Sequence, residues 1–230
     1  MMQKSASAGL ASNLKMNTSK LILFFLATCI ANFCLCMDHA RLKKIIFVVG
    51  PAGSGKTTAS TAFAQENNKY CGHYSVGNLL REKAQDETEL GKLIKGMLDR
   101  ADIVPLEVGM RVVEDAISSE TKSLLLIDGF PPTRAYMDAF EQLMRKNSNI
   151  KLLGVIAFEI DQDTAEQRVL GRCRADDRRD NFAKRYDRYK QNCPELFACF
   201  SKYGLSKVDA CQSFDRVKQS FLQSVLDLQK

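Results

Sequence analysis

The stretch Ile45-Ile46-Phe47-Val48-Val49-Gly50-Pro51-Ala52-Gly53-Ser54-Gly55-Lys56-Thr57 decides the fold. Its first part is an unbroken apolar run that reads as a buried strand. From Gly50 to Thr57 it is a complete G-x-x-x-x-G-K-[ST] phosphate loop. Such a loop works only where a buried strand delivers a glycine-rich turn onto a helix N-terminus, so that backbone N–H groups and the helix dipole converge on a polyanion. Both neighbours are present, because a helical pattern follows Thr57. The glycines let the backbone approach phosphate oxygens closely, Lys56 reaches the β- and γ-phosphates, and the Thr57 hydroxyl is placed to ligate Mg²⁺. The expected nucleotide-binding set is Gly50, Pro51, Ala52, Gly53, Ser54, Gly55, Lys56, Thr57 and Thr58. The chain reads as a user of nucleoside triphosphate.

Outward from the loop, strands and helices alternate. Thr58 to Asn67 reads as helix, Tyr70 to Val76 as a short strand, and Gly77 to Arg81 as the opening of another helix. Glu87–Arg100 and Pro105–Ser119 carry apolar residues at helical spacing, with Pro105 suited to a first turn. Leu124 to Ile127, ending in Asp128, is a buried strand. Arg134–Lys146 reads as helix, Leu152–Ile160 as strand, and Thr164–Gly171 as helix. Cys173–Asp180 reads as surface loop or helix start. Phe182–Tyr203 and Phe214–Leu228 are helical patterns flanking a last strand at Lys207–Ala210. The alternation predicts an α/β fold with a parallel sheet covered on both faces.

The bulk numbers suit that fold. A chain of 230 residues is long enough for one α/β domain with a core, and 45% hydrophobic with 26% charged residues argues against disorder and against a multi-span membrane protein. Of the net charge of +6, residues 1–36 supply three through Lys4, Lys15 and Lys20. The mildly basic remainder suits an anionic nucleotide and points to no nucleic-acid partner. Of eight cysteines, Cys29, Cys34 and Cys36 lie in that N-terminal segment, and the other five, Cys71, Cys173, Cys193, Cys199 and Cys211, form no C-x-x-C pair. Neither a zinc site nor a disulfide framework is expected.

The N-terminal segment stands apart. An apolar stretch from Leu21 to Met37, preceded by Lys15 and Lys20, has the layout of a secretory signal. Export would separate the phosphate loop from its ATP, so a cytoplasmic location is expected, with a membrane partner only if the leader is retained as an anchor. Met37 leads directly into the first strand, so residues 1–36 are expected to be a removable leader or a mis-assigned start, with a true export signal or anchor as the alternative, and 37–230 the domain.

Several separated segments resemble the nucleoside monophosphate kinase family, the adenylate and UMP–CMP kinases. They are the phosphate loop; Ser75-Val76-Gly77-Asn78-Leu79-Leu80-Arg81, similar to S-[TA]-G-D-[LM]-L-R; Gly91 through Ile103-Val104-Pro105; and Leu126-Ile127-Asp128-Gly129-Phe130-Pro131, similar to L-[IL]-D-G-F-P. The resemblance implies a P-loop NTPase three-layer fold with a helical acceptor-binding insertion at about 75–105 and a short lid at about 173–180. It implies ATP and Mg²⁺ as cofactors, no zinc, small nucleotides as partners and a monomer. Thr57 and Asp128 would hold Mg²⁺, partly through water, while Ser75, Gly77, Arg81, Val104, Asp128 and Gly129 would surround the acceptor. Arg168, Arg172, Arg174 and Arg185, around Ala175-Asp176-Asp177, resemble the short-lid arginines and join Lys56 as the catalytic set, because guanidinium groups stabilise a phosphoryl group in flight. Arg178, Arg179 and Arg188 read as solvated.

Two departures concern the acceptor. Pro132 stands where the family has a phosphate-gripping arginine, and Tyr136 where it commonly has a base-reading glutamine. Arg134 is taken as reaching the same phosphate from the next helix turn. The function expected is phosphoryl transfer from ATP to a nucleoside monophosphate. The alternatives are a kinase for another small acceptor and a catalytically weak ATP-binding protein of the same fold.

Overall fold

The computed structural model describes residues 42–172 and 174–230, so the expectations placed on residues 1–36 and on Cys173 lie outside the described residues. Five strands, β1 (Lys43–Val49), β2 (Cys71–Ser75), β3 (Leu124–Asp128), β4 (Ile150–Glu159) and β5 (Leu205–Asp209), form one sheet in the order β2-β3-β1-β4-β5. Every neighbouring pair is parallel. The apolar run of the phosphate loop is therefore the central strand, hydrogen-bonded on both edges, which is why it carries no polar alternation.

The connections are helical: α1 (Lys56–Glu66), α2 (Val76–Lys83), α3 (Glu89–Asp99), α4 (Leu106–Ser119), α5 (Arg134–Lys146), α6 (Gln162–Leu170), α7 (Arg179–Phe200) and α8 (Phe214–Asp227). Side-chain alternation sorts the core into two layers. Ile45, Phe47 and Val49 of β1 pack with α2, α3, α4, α5 and α7, whereas Ile46 and Val48 pack with α1 and α8. In β4 the alternation is interrupted: Ile45 pairs with Leu152 but Ile46 with Gly154, so Leu153 is an extra residue. This irregularity lets Leu152 share a face with Val155 and Ala157. None of the helices among the described residues is long and apolar enough to cross a membrane.

The element bounds differ from expectation at the ends. Helix α1 begins at Lys56, inside the phosphate loop, and Pro105 occupies the N-cap of α4, one residue outside its first turn. The charged segment 174–178 is loop, and α7 begins at Arg179.

Under the site, Phe47 packs edge-on against Phe130 at 5.1 Å and Phe140 at 4.8 Å, fixing the β3–α5 turn on the central strand. Tyr136 joins that group at 5.8 Å from Phe130 and donates its hydroxyl to the carbonyls of Val104, 2.7 Å, and Pro105, 3.0 Å. Gly109 makes this possible, because a Cβ there would lie 2.5 Å from the Tyr136 ring and hydroxyl. Gly109→Ala is expected to destabilise the fold by about 1–3 kcal/mol through overpacking. Phe47→Ala, which empties a fully buried site, is expected to cost about 3–5 kcal/mol. Urea unfolding of both variants measures this; a Gly109→Ala chain as stable as the parent would mean that Tyr136 repacks freely.

Candidate active site

A cavity of about 290 Å³ opens where β1, β3 and β2 end and is closed on its far side by the lid segment and α7. The C-terminal ends of parallel strands are the usual ligand position in open α/β sheets. On its donor side lie Gly50, Pro51, Ala52, Lys56 and Thr57. Gly53, Ser54 and Gly55 form the turn beneath them, and Thr58 is an exposed residue of the first turn of α1. The glycines have local reasons beyond ligand approach. Gly53 has φ of 87° and its hypothetical Cβ would lie 2.3 Å from the Ala165 carbonyl, so α6 packs directly on the loop. Gly55, with φ of 79°, is the N-cap of α1 and offers no side chain to its free N–H groups. The first turn carries no acid either, leaving those donors and the positive helix end to a ligand.

The pair expected to hold Mg²⁺ comes from two elements. Thr57 donates its hydroxyl to Asp128 Oδ1 at 3.2 Å. The second carboxylate oxygen lies 2.6 Å from His73 Nε2, and His73 Nδ1 lies 3.2 Å from the Thr61 hydroxyl. His73 thus orients the 2%-exposed Asp128, a role nothing in the sequence motifs signalled. Two hard oxygen donors side by side suit Mg²⁺, which keeps several waters and binds mainly through phosphates. The buried Ser54 hydroxyl in the same loop has no hydrogen-bond partner among the described residues, a further polar atom for a nucleotide to satisfy. The residues present therefore fit Mg·ATP.

Cations converge on this space. Burial lowers the pKa of the Lys56 ammonium, Asp128 opposes that effect, and Arg172, Arg174 and Arg81 add to it. Burial likewise lowers Arg174, helped by Arg81 and Arg172 and opposed by Asp177 and Asp176. Such a field suits a polyanion. The lid carboxylates arrange the arginines. Arg81 grips Asp176 through Nε at 3.3 Å and Nη2 at 2.9 Å, Arg185 reaches the same carboxylate at 2.7 Å, and Arg172 forks onto Asp177 at 2.5 and 2.8 Å. Burial alone would raise the Asp176 carboxyl, but the Arg81 and Arg185 guanidiniums overcome it and hold the pKa far below the usual carboxylate range.

On the acceptor side the cavity is lined by Ser75, Gly77, Arg81, Val104, Asp128 and Gly129, with Tyr136 as a wall. Tyr136 is buried, and its hydroxyl is committed to backbone carbonyls, so the ring, not a polar head, forms that wall. Burial, with Glu107 adding, pushes its phenol up to about 12.

Three arginines lie otherwise, relative to this cavity, than their positions along the chain led one to expect. Arg134 does not line the cavity: it lies on an exposed face of α5 in an i,i+4 pair with Asp138 at 2.7 Å, because the first turn of α5 points it outward. Arg168 is also outside, donating to the Ala210 carbonyl at 3.0 Å across the β5 end of the sheet. Arg188, read as solvated, instead lines the cavity and donates to the Ala101 carbonyl at 2.7 Å. Helical spacing places Arg185, Arg188, Asn192 and Leu196 on one stripe of α7, a signal available in the sequence but hidden within its charge run. Of the other two arginines read as solvated, Arg179 pairs with Glu166 on the surface, while exposed Arg178 donates to the Asp99 carbonyl at 2.6 Å.

The N-terminal half of α7 also collects the last carbonyls of α3. Arg185 reaches Leu98, Arg178 and Asn181 reach Asp99, Lys184 reaches Arg100 and Arg188 reaches Ala101. Cationic donors meeting the negative end of a helix are favourable, and here they fasten the α2–α3 segment to the helix that follows the lid.

A family model described as adenylate kinase matches residues 48–205. The adenylate kinase of a Nitratiruptor species is 35% identical over 191 residues, covering 81% of this chain and 98% of its own length. Those of Nautilia profundicola and Wolinella succinogenes are each 33% identical, covering 80% of this chain and 97% and 100% of theirs. A match running from β1 to the start of β5 takes in the phosphate loop, the acceptor-side helices and the arginine lid together, and on that ground the chain belongs to the adenylate kinase family.

Proposed function

We propose that the chain transfers the γ-phosphoryl group of Mg·ATP in line to AMP, acting as a monomer in an ATP-containing compartment. Membership of the family makes it an ATP-dependent nucleoside monophosphate kinase, and neither another small acceptor nor a catalytically weak binding protein is favoured. The observation that carries the finer reading is the meeting of Lys56, Arg172, Arg174, Arg81 and Arg185 on one cavity between the α1 N-terminus and the α2–α3 segment. The names of the relatives support adenylate as the acceptor.

In this reading the α1 N–H groups and Lys56 hold the β- and γ-phosphates, and Thr57 and Asp128 hold Mg²⁺, which when bound neutralises charge on the phosphate oxygens. Arg81 grips the acceptor phosphate. Arg172, Arg174 and Arg185 meet the transferring group and, with the lid over it, exclude water so that the acceptor oxygen and not water attacks. The insertion at about 75–105 and the lid at about 173–180 are the parts that close. Because Tyr136 offers a ring to the base and spends its hydroxyl on backbone, discrimination among bases rests on packing, which separates similar substrates only weakly.

ADP formation from Mg·ATP is expected to be fastest with AMP when AMP, CMP, UMP, GMP and dTMP are offered singly, with at least one other acceptor within about 100-fold. Silence with all five would sink the reading. Lys56→Ala is expected to lower kcat by about 100- to 1,000-fold with the fold intact by circular dichroism. Asp176→Asn is expected to cost about 2 kcal/mol, less than a wholly buried pair because the Arg81 side chain is 27% exposed. Since the folded-state pKa is depressed, that difference should be complete above the ordinary carboxylate value of about 3.9 and fade as the pH falls below it. Urea unfolding of both chains as a function of pH reads this directly; a difference independent of pH would rule out the charge pair as its source.

A further inference from the structure

The guanidinium groups around the acceptor side are not equivalent. Arg81 and Arg185 share Asp176, and Arg172 is forked onto Asp177. Arg188 differs: it is half-buried, it lines the cavity, and among the described residues no carboxylate lies within ion-pair distance of it. Its one hydrogen bond among the described residues is to a neutral acceptor, the Ala101 carbonyl, and occupies Nη1 alone. The rest of the fork remains for a ligand. A cation drawn partly out of water without a counter-charge is costly unless an anion completes it.

The position indicates which anion. Asn192, one helical turn beyond Arg188, donates to the Pro132 carbonyl at 3.1 Å. Arg188 lines the same cavity as the Gly129–Pro132 turn and Arg81, from the helix that Asn192 fastens to that turn. Arg81 alone, already bound to Asp176, is a weak grip for a phosphate dianion, and a second planar donor would complete it. Pro132 has no side chain that can donate.

We propose that Arg188 is an acceptor-binding residue that grips the phosphate of the incoming nucleoside monophosphate from α7, supplying the donor that the Gly129–Pro132 turn lacks. This rests on the monophosphate kinase reading above. Its residue-level content is separate, because Arg188 belongs to no motif of the loop, the insertion or the lid. Position 132 and position 188 then serve one phosphate, so an arginine at either suffices.

The test uses the full-length chain with AMP as the probe, measuring KM for AMP and for ATP, kcat, and AMP affinity by calorimetry. Arg188→Ala is expected to weaken AMP by about 10- to 100-fold while leaving the KM for ATP within about twofold. Arg188→Lys, which keeps a donor for Ala101 but not the fork, should be intermediate. The double variant Arg188→Ala with Pro132→Arg should recover most of the loss, which a merely structural role at Ala101 would not allow. An Arg188→Ala chain with unchanged AMP affinity, or equal losses for ATP and AMP without rescue, overturns the assignment of Arg188. Absence of turnover with any monophosphate in the parent chain overturns the reading of the whole site, a different and separable result.

Discussion

The acceptor half of the molecule depends on two carboxylates. Asp176 and Asp177 lie in a short loop, yet Asp176 is 6% exposed and the Asp177 side chain is fully covered. Between them they hold Arg81 from α2, Arg172 from the end of α6 and Arg185 from α7. Without them three guanidinium groups would repel one another across a small cavity. With them the arginines are oriented in a fixed fork geometry before any phosphate arrives, and preorganised charge of this kind is what phosphoryl transfer requires. The burial of Asp176 would by itself favour its neutral form, and the arginines reverse that balance.

The same loop connects two mechanical parts. Helix α3 ends in carbonyls that have no partner within the helix, and α7 supplies Arg178, Asn181, Lys184, Arg185 and Arg188 to meet them. Ala101, just past the helix end, has φ of 56°, and its N–H and that of Asp102 fold back onto Leu98 and Met97. A non-glycine residue in that conformation costs free energy, which the surrounding bonds offset. The α2–α3 segment is thus tied to α7 through polar contacts at a helix terminus, whereas its attachment to the sheet runs through apolar packing of Val76, Leu80 and Ile94.

The Tyr136 wall of the cavity packs as a unit. A tyrosine at 136 fits only because residue 109 is glycine, and its hydroxyl is satisfied only because Val104 and Pro105 turn their carbonyls toward it at the entry to α4. Three features that look unrelated along the chain are one packing solution.

The phosphate loop, the parallel α/β fold and most elements were legible in the sequence because each depends on local rules: an apolar run for a central strand, glycines for a tight turn, apolar spacing for helices. The donor residues Gly50 to Thr57 follow from one motif because adjacent backbone groups build that site. The acceptor site is assembled from five separate segments, and there sequence position misleads. Arg134 and Arg168 stand near the acceptor and lid segments along the chain, yet neither lines this cavity, since one residue along a helix rotates a side chain by about 100°. Arg188 was hidden among like charges, and His73 carried no motif. Which of many arginines faces the phosphates, and which carboxylates restrain them, was decided only when α2, α6 and α7 were packed around one cavity, because charge pairing depends on distances that the chain order does not contain.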